Sequence, residues 1–436
     1  VTRRGSYAAY LHITHPEIEE FLDGRKPTGG DINRRFINLH HGVVLCDSFL
    51  ELIHRATREQ GFDDSWELID PHTKEVKKVV SARALWVKIL QNRMETGEPY
   101  IMFEDAVNND LPDFQQRKGL YVNHSNLCSE ITLPTNDERT AVCCLSSVNL
   151  EYFDEWQNHP SFIPDLVRFL DNVLESFINN APDQLEKAKY SAYRERSIGL
   201  GTMGFHAYLQ KLGIPFEGLS ASNINYGIFE HIKTQAMEET RKLAVERGAC
   251  PDDDSCQVRN AHLLAIAPNA SSSIICGNTS PSIEPFRVNA YTQKTKSGSF
   301  LQKNKFLEKL LEKYEMNDEK TWRDIVTNKG SVQHLTFLTD EEKEVFKTAV
   351  EINQSWLIEH ASQRQQFICQ SQSLNLFFPP DVSKKDLHNV HMLAWAKNLK
   401  TLYYLRSEAI SRADTVSNEV KREIIFEQQD CLSCEG

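Results

Sequence analysis

The sequence predicts an α/β fold in which parallel strands alternate with helices. An apolar run at residues 8–11 precedes a predicted helix at 15–22, and a second predicted strand at 38–47 precedes a helix that opens at Asp47. Strands that alternate with helices in this way are typical of parallel pairing. The chain has 436 residues, of which 40% are apolar, so it is long enough to fold as one large barrel-like domain.

The later elements continue this alternation. Apolar residues at helical spacing predict further helices, and a Lys- and Glu-rich stretch predicts helices with one face in solvent. Two more strands are predicted on either side of the last helix. The helices are predicted at residues 81–95, 161–180, 183–196, 223–247, within 303–351 and at 386–398, and the strands at 371–378 and 399–405.

The glycines in residues 199–204 resemble a dinucleotide-binding loop. However, no predicted strand with a following acidic residue frames them, and this makes the signal weak. We therefore interpret these glycines as small residues that allow helices to pack closely.

The composition limits the classes of function. The net charge of -12 at pH 7 argues against a surface that holds nucleic acid, because phosphate binding depends on clustered Lys and Arg. Ten cysteines occur without regular spacing, and no apolar stretch has the length of a signal core or a membrane span. We expect a protein of the reducing cytoplasm that binds neither DNA, RNA nor a membrane and holds no metal itself.

The stretch that points most directly to chemistry is Asn-Leu-Cys-Ser-Glu at residues 126–130. If this stretch is extended, the side chains of Asn126, Cys128 and Glu130 point to the same side. An amide, a thiol and a carboxylate would then line one pocket over about 7 Å, a span that suits a sugar ring. The spacing alone also allows Cys128 to be a small buried hydrophobic residue, as free cysteines usually are.

The sequence around this stretch resembles a known active site. Asn-Leu-Cys-x-Glu-Ile-x-Leu-Pro-Thr at 126–135, followed by Cys-x-Leu-Ser-x-x-Asn-Leu at 143–150, is similar to the finger loop of the large subunit of class I ribonucleotide reductase. The resemblance implies a ten-stranded α/β barrel with a central finger at about residues 123–146. It also implies that residues 1–406 form a catalytic barrel portion and that residues 407–436 form a flexible tail.

The resemblance implies a role for each residue of the finger tip. In the family, the residue that matches Cys128 becomes a thiyl radical and removes the hydrogen from the ribose 3′ carbon. Glu130 would act as the general base on the 3′ hydroxyl, and Asn126 would hydrogen-bond the sugar hydroxyls. Leu127 and Ser129 would complete the substrate-binding loop.

Cys143 matches one member of the family's reducing pair, which becomes a disulfide as the 2′ hydroxyl leaves as water. The family pattern places this cysteine two residues before Leu-Ser, which favours Cys143 over its neighbour Cys144. In the family the partner cysteine lies upstream of the segment that opens this chain, so we expect it outside this sequence. Cys46 is an alternative partner, but its place at the start of a predicted helix argues against it.

A second motif, Pro-Asn-Ala-Ser-Ser at residues 268–272, lies at the opening of a predicted helix. Small hydroxyl residues there leave backbone N–H groups open to a phosphate, although a helix cap with spare serines explains the same pattern. In the family, a Pro-x-x-x-Ser segment at this place holds the substrate phosphates, and residues 278–285 are also similar to the family. The resemblance therefore implies substrate-binding roles for Pro268, Asn269, Ala270, Ser271 and Ser272, and for Arg3 near the start.

Two further pairs of residues fit the family. Tyr403 and Tyr404 are adjacent on the last predicted strand, where aromatic residues are common, but in the family this dyad relays a radical from the metal-bearing small subunit. Cys431 and Cys434 lie too near the chain end for a thioredoxin-like site and lack the second ligand pair of a zinc site. The resemblance implies a mobile dithiol that reduces the active-site disulfide and is itself reduced by thioredoxin or glutaredoxin.

The chain opens at Val1 in a segment that looks like the middle of a loop. We expect the C-terminal piece of a split or truncated large subunit that lacks the first barrel strands and is completed by an N-terminal polypeptide. The expected function is the reduction of ribonucleoside diphosphates with a small subunit that carries the metal-radical cofactor, in a homodimer of the completed large subunit. No cofactor is expected on this chain itself. The alternatives are a catalytically silent assembly or binding subunit and a cobalamin-dependent reductase.

Overall fold

The computed structural model describes residues 5–26, 32–295 and 298–407. In these ranges strands alternate with helices, as predicted. The strands are β1 (Ala8–His12), β2 (His40–Leu45), β3 (Ser65–Ile69), β4 (Val76–Ser81), β5 (Tyr100–Phe103), β6 (Leu145–Asn149), β7 (Gly199–Met203), β8 (Ala290–Thr295), β9 (Gly298–Lys303), β10 (Leu376–Phe377), β11 (Thr401–Leu402) and β12 (Leu405–Arg406). The helices are α1 (Ile18–Asp23), α2 (Asp47–Ala56), α3 (Ala82–Thr96), α4 (Glu104–Asn109), α5 (Asp113–Arg117), α6 (Phe153–Trp156), α7 (Phe162–Asn180), α8 (Glu186–Glu195), α9 (Phe205–Lys211), α10 (Leu219–Arg247), α11 (Ala270–Ile275), α12 (Lys305–Lys313), α13 (Glu319–Thr327), α14 (Asp340–Val345), α15 (Gln354–Gln365) and α16 (Lys384–Ala396).

The predicted helices follow local signals in the sequence. At the start of α3, the Ser81 side chain accepts a hydrogen bond from the Ala84 N–H, and at its end Gly97 adopts a left-handed φ of 82°. The long helix α10 likewise ends at Gly248. Among the described residues, no helix combines the length and the apolar character that crossing a membrane requires.

One half of the core is a four-stranded sheet with the order β1-β2-β5-β11. The first three strands are parallel, whereas β11 runs antiparallel to β5. Successive side chains of a strand point to opposite sides of the sheet, so alternate residues lie on its two faces. Val43 and Ile101 pack with helix residues such as Phe49 in the large core, whereas Tyr10 and Tyr100 face the opposite side in a separate cluster.

The other half of the core contains a second set of parallel strand pairings. β6 pairs with β7 in parallel, and further parallel bridges join Leu200 to Leu264 and Ile266 to Gln372. Parallel pairing in both halves confirms the predicted α/β class. In the part of the chain that the structure describes, the strands do not close into a complete barrel.

The structure corrects the interpretation of residues 199–204. Gly199–Met203 is a fully buried strand, not a contact between helices. A Cβ atom at Gly201 would lie 2.5 Å from the backbone oxygen of Ala265, so glycine allows these two backbones to approach each other. A glycine-rich strand carries few β-branched or aromatic residues, and for that reason its sequence does not indicate a strand.

The remaining differences concern short strands. The strand predicted at 371–378 is reduced to β10, and the strand predicted at 399–405 is divided into β11 and β12. The hairpins β3-β4 and β8-β9 were not predicted. β3 alternates polar and apolar residues over only four positions, Ser-Trp-Glu-Leu. The other three strands carry polar and charged residues without an apolar run or an alternation.

A buried ion cluster joins α7 to α10 and to the segment that leads into β7. Asp171 is fully buried, and its carboxylate accepts hydrogen bonds from Arg196 at 3.0 Å and from Arg247 at 2.8 Å. Burial opposes ionisation of Asp171, but the charges of Arg196 and Arg259 outweigh it, so the pKa of this carboxyl lies below its ordinary value. The side chain of Arg196 is only 3% exposed, so this ion pair lies almost entirely out of water.

Asp171→Ala is expected to lower the free energy of unfolding by on the order of 3 kcal/mol, because it leaves the buried Arg196 without its main counter-charge. Urea denaturation followed by circular dichroism measures the effect, and Asp183→Ala at an exposed position serves as the control. Since the pKa of Asp171 is lowered by folding, its contribution is present above the ordinary value of 3.8 and is lost as the pH falls. Equal urea midpoints for Asp171→Ala and the parent at neutral pH would contradict a stabilising role for Asp171.

Candidate active site

The tip of the finger is a turn, not the extended segment that the spacing suggested. The Ser129 N–H donates to the Asn126 oxygen at 3.2 Å, and Ser129 has a φ of 66°. Strand alternation therefore does not align Asn126, Cys128 and Glu130. The turn instead brings two of them together directly, because Asn126 Nδ2 donates to Glu130 Oε2 at 2.9 Å.

Four backbone carbonyls of the tip accept hydrogen bonds from other parts of the core. The donors come from β1, from β11 and from the segment before β10, so both halves of the core hold the tip. The contacts are Tyr10 hydroxyl to Asn126 O at 2.8 Å, Ser373 Oγ to Cys128 O at 2.6 Å, Thr401 Oγ1 to Ser129 O at 2.7 Å and Ser371 N to Glu130 O at 2.9 Å.

Glu130 is a buried carboxyl group with a shifted pKa. Its side chain accepts hydrogen bonds from Asn126 Nδ2 at 2.9 Å and from Ser373 Oγ at 3.3 Å. Burial raises the pKa of Glu130 to about 7, and the hydrogen bonds from Asn126 and Ser373 limit the rise. A carboxyl group with this pKa can accept and return a proton near neutral pH.

The adjacent cysteines face different surroundings. Cys143 lines a cavity of about 470 Å³ together with Asn126 and Ile131. Cys143 is exposed where it borders this cavity. The protein around it on the other side, with the nearby charge of Glu130, raises the pKa of its thiol. Cys144 is buried on the other side, where its Sγ atom donates to the backbone oxygen of Leu170 on α7 at 3.5 Å.

Cys46, the alternative partner for Cys143, lies at the N-cap of α2. Among the described residues that line the cavity, Cys143 is present and Cys46 is not. The position of Cys46 therefore agrees with the helix start that the sequence indicated.

Cys128 lies in a buried cluster of tyrosines. The cluster contains Tyr100, Cys128, Tyr403 and Tyr404, and the thiol residue is 5% exposed. The ring centroids of Tyr403 and Tyr404 are 4.4 Å apart, and Tyr100 lies 4.8 Å from the first and 5.0 Å from the second. The guanidinium of Arg406 lies 4.0 Å from the Tyr404 ring centroid, a cation–π contact that holds this ring.

The segment from Pro268 leads into the short helix α11. Asn269 at its start has a φ of 51°. The Asn269 amide donates to Ser147 Oγ on β6 at 2.9 Å and to Thr202 O on β7 at 3.3 Å. The side chain of Asn269 therefore joins the start of α11, with Ser271 and Ser272 in its first turn, to β6 and β7.

The next predicted family segment, residues 278–285, reaches the tyrosine dyad. Asn375 Nδ2 donates to Glu284 Oε1 at 2.5 Å, and Asn375 Oδ1 accepts from the backbone N–H of Tyr404 at 3.0 Å. Burial raises the pKa of Glu284, and the charge of Arg287 opposes this. A buried chain of contacts thus connects the segment after α11 with the strand that carries the dyad.

Sequence reasoning missed the residues that support the finger, namely Tyr10, Tyr100 and Ser373. The ring of Tyr10 covers Gly42 on the neighbouring strand, where a Cβ atom would lie 2.3 Å from the ring. Residues 8–11 of β1 are a continuous apolar run, so the sequence gives no alternation that would have identified Tyr10 as an inward side chain. Arg3, Cys431 and Cys434 lie outside the described residues.

Comparisons with known proteins point to one family. The family model described as the ribonucleotide reductase barrel domain matches residues 1–255 and 254–405. The ribonucleoside-diphosphate reductase large subunit of Invertebrate iridescent virus 3 is 45% identical over 485 residues, covering 100% of this chain and 77% of the relative. The protein of the same name from Invertebrate iridescent virus 6 is 51% identical over 297 residues, covering 67% of this chain and 31% of the relative.

A solved structure agrees with these relatives. The Actinobacillus ureae class Id ribonucleotide reductase alpha subunit has a TM-score of 0.81 and 38% identity, covering 93% of this chain and 71% of that chain. The likeness confirms the predicted α/β fold of the reductase type. This chain belongs to the ribonucleotide reductase large-subunit family.

Proposed function

We propose that this chain reduces ribonucleoside diphosphates to 2′-deoxyribonucleoside diphosphates by thiyl-radical chemistry. The observation that best supports this function is the position of Cys128. This buried residue lies in one cluster with Tyr403 and Tyr404, and Glu130, with its buried carboxyl group, follows two residues later in the sequence. A radical thiol needs both a route for the radical and a nearby base. The names of the relatives, which are ribonucleoside-diphosphate reductase large subunits, agree with this substrate class.

The tyrosine dyad is the proposed route by which the radical reaches Cys128. Tyr403 and Tyr404 are both buried, and their rings are in contact. A phenol in such a place loses its electron and its proton together, because a charged intermediate is costly away from water. A partner small subunit would supply the oxidising equivalent from its metal-radical cofactor, as in class I enzymes.

The residues of the finger account for each hydrogen in the reaction. The Cys128 thiyl takes the hydrogen atom from the 3′ carbon, and Glu130 takes the proton of the 3′ hydroxyl. One thiol of the pair formed by Cys143 and a second cysteine gives a proton to the 2′ hydroxyl, which leaves as water. The pair then supplies two electrons and its second hydrogen to the 2′ carbon and becomes a disulfide, and Glu130 returns its proton to the 3′ oxygen. Cys128 finally returns the hydrogen atom to the 3′ carbon. The pKa of about 7 suits Glu130 to this exchange.

The cavity beside the finger is the proposed place of the substrate. Its volume of about 470 Å³ falls within the range that small-molecule sites occupy. Asn126, Leu127 and Ser129 would contact the sugar. The phosphates would lie at residues 268–272, where backbone N–H groups of a helix start attract anions, with Arg3 as a further contact.

Further proteins complete the proposed cycle. Cys431 and Cys434 would reduce the disulfide that forms at Cys143, and thioredoxin or glutaredoxin would then reduce this tail pair. The small subunit and a second copy of the large subunit are the proposed assembly partners.

Cys128→Ser is expected to abolish turnover, because a serine hydroxyl does not form the radical that the reaction requires. Formation of deoxyribonucleotide by the chain together with its small subunit measures turnover, and calorimetry measures nucleoside diphosphate binding, which should persist. Cys144→Ser, whose thiol faces α7, is the matched control and should retain activity. Unchanged turnover in Cys128→Ser would instead favour a silent assembly subunit.

Tyr403→Phe is expected to abolish turnover with the small subunit while the melting temperature and substrate binding stay unchanged. Phenylalanine keeps the ring that packs on Tyr100 but has no hydroxyl hydrogen to lose. Tyr193→Phe at an exposed site is the control. Full activity of Tyr403→Phe with adenosylcobalamin would point to the cobalamin-dependent class instead.

Glu130→Gln is expected to lower turnover by about 10²- to 10⁴-fold, the usual contribution of a general base. In the parent, turnover should fall as the pH drops through about 7, since protonated Glu130 cannot accept the 3′ proton. A profile of turnover from pH 5.5 to 8.5, roughly centred on that pKa, measures this acid limb. Glu138→Gln on the exposed part of the finger should leave the profile unchanged, and an acid limb that persists in Glu130→Gln would exclude Glu130 as its source.

A further inference from the structure

Three side chains with metal-binding atoms converge at one edge of the four-stranded sheet. His12 ends β1, Cys46 follows β2, and Glu104 follows β5. One ligand atom from each residue lies within 4.8 Å of the other two. His12 Nε2 and Glu104 Oε2 are 3.0 Å apart.

The register of the parallel sheet produces this convergence. His12 pairs with Val44, and Val44 pairs with Met102. Cys46 and Glu104 each come two residues later, just beyond the ends of β2 and β5, so the three side chains meet at the edge where the parallel strands end. The paired strands fix the relative positions of these three residues, and ligands on such elements are held more accurately than ligands on a mobile loop.

We propose that His12, Cys46 and Glu104 form a binding site for a divalent transition metal, with Zn²⁺ as the natural occupant. An imidazole nitrogen, a thiolate and a carboxylate oxygen are the ligand types that zinc takes, at bonds of about 2.0 to 2.3 Å. Three protein ligands leave one position for water. Each of the three residues is partly buried, so the site is shaped by protein and remains open to an incoming ion.

Neighbouring groups orient the ligands. The Tyr121 hydroxyl donates to Glu104 Oε1 at 2.6 Å, which leaves Oε2 for the metal. His12 Nδ1 lies 2.6 Å from Thr14 Oγ1 and accepts from the Thr14 backbone N–H at 3.2 Å, so the ring presents Nε2 to Glu104 and to the site. Such outer contacts fix ligand orientation in metal sites. Metal binding would replace the contact between His12 Nε2 and Glu104 Oε2, and the ligands would release their protons to solvent.

The site is connected to the finger through Tyr121. This residue lies two positions before Asn123 in the chain, and Asn123 and His124 line the cavity beside the finger. A bound ion would join the ends of three strands and, through Glu104 and Tyr121, hold the base of the finger. The ion would position the base of the finger rather than take part in the reaction, because its three ligands are not among the residues proposed to contact the sugar.

Cobalt binding to the full chain tests the site, in a Cys431→Ser/Cys434→Ser background that removes the tail pair as a competing ligand. Co²⁺ titration should produce a sulfur-to-cobalt absorption band with one metal per chain, and Zn²⁺ should displace it. Cys46→Ser should lose the band, whereas Cys256→Ser at an exposed site should keep it. Tyr121→Phe should weaken binding by about 10- to 100-fold.

A second measurement keeps the test independent of folding defects. Zn²⁺ should raise the melting temperature of the parent, because a ligand that binds only the folded chain stabilises it, and it should not do so in Glu104→Gln or His12→Ala. Absence of a band in the parent, or a band of equal strength in Cys46→Ser, would overturn the metal site and leave a hydrogen-bonded cluster.

Discussion

The candidate active site depends on four hydrogen bonds that fix the backbone carbonyl groups of the finger tip. The tip between Asn126 and Glu130 is a turn without a strand ladder, so its backbone polar groups need partners from elsewhere. Hydroxyl and N–H donors from β1, β11 and the segment before β10 supply them. Because these donors come from both halves of the core, the position of Cys128 depends on the packing of the whole domain.

Exclusion of water is the common cause of the pKa shifts at the candidate site. Burial is the largest influence on Glu130 and Tyr100, and it raises the pKa of each. The neutral phenol is therefore favoured, and the pKa of the carboxyl is brought close to neutral pH. Cys128 is buried as well, and the same exclusion of water would protect the thiyl radical that the proposed function requires.

The fold was predictable where local signals and tertiary structure agree. The capping serine and terminal glycine of α3 and the alternation of strands with helices indicated the correct class. The prediction failed at Gly199–Met203, where a strand is defined by close backbone approach to Ala265. It also failed at the finger tip, because hydrogen bonds from distant segments favour a turn over the extended form.

The sequence by itself indicated the residues of the proposed chemistry, since Cys128, Glu130 and the tyrosine dyad lie within short recognisable motifs. Only the tertiary structure decided which residues surround them. Tyr10, Tyr100 and Ser373 reach the finger from distant segments, and His12, Cys46 and Glu104 meet at the ends of three separate strands. The local sequence does not predict these contacts. Strand register and sheet order, rather than spacing along the chain, bring these side chains together.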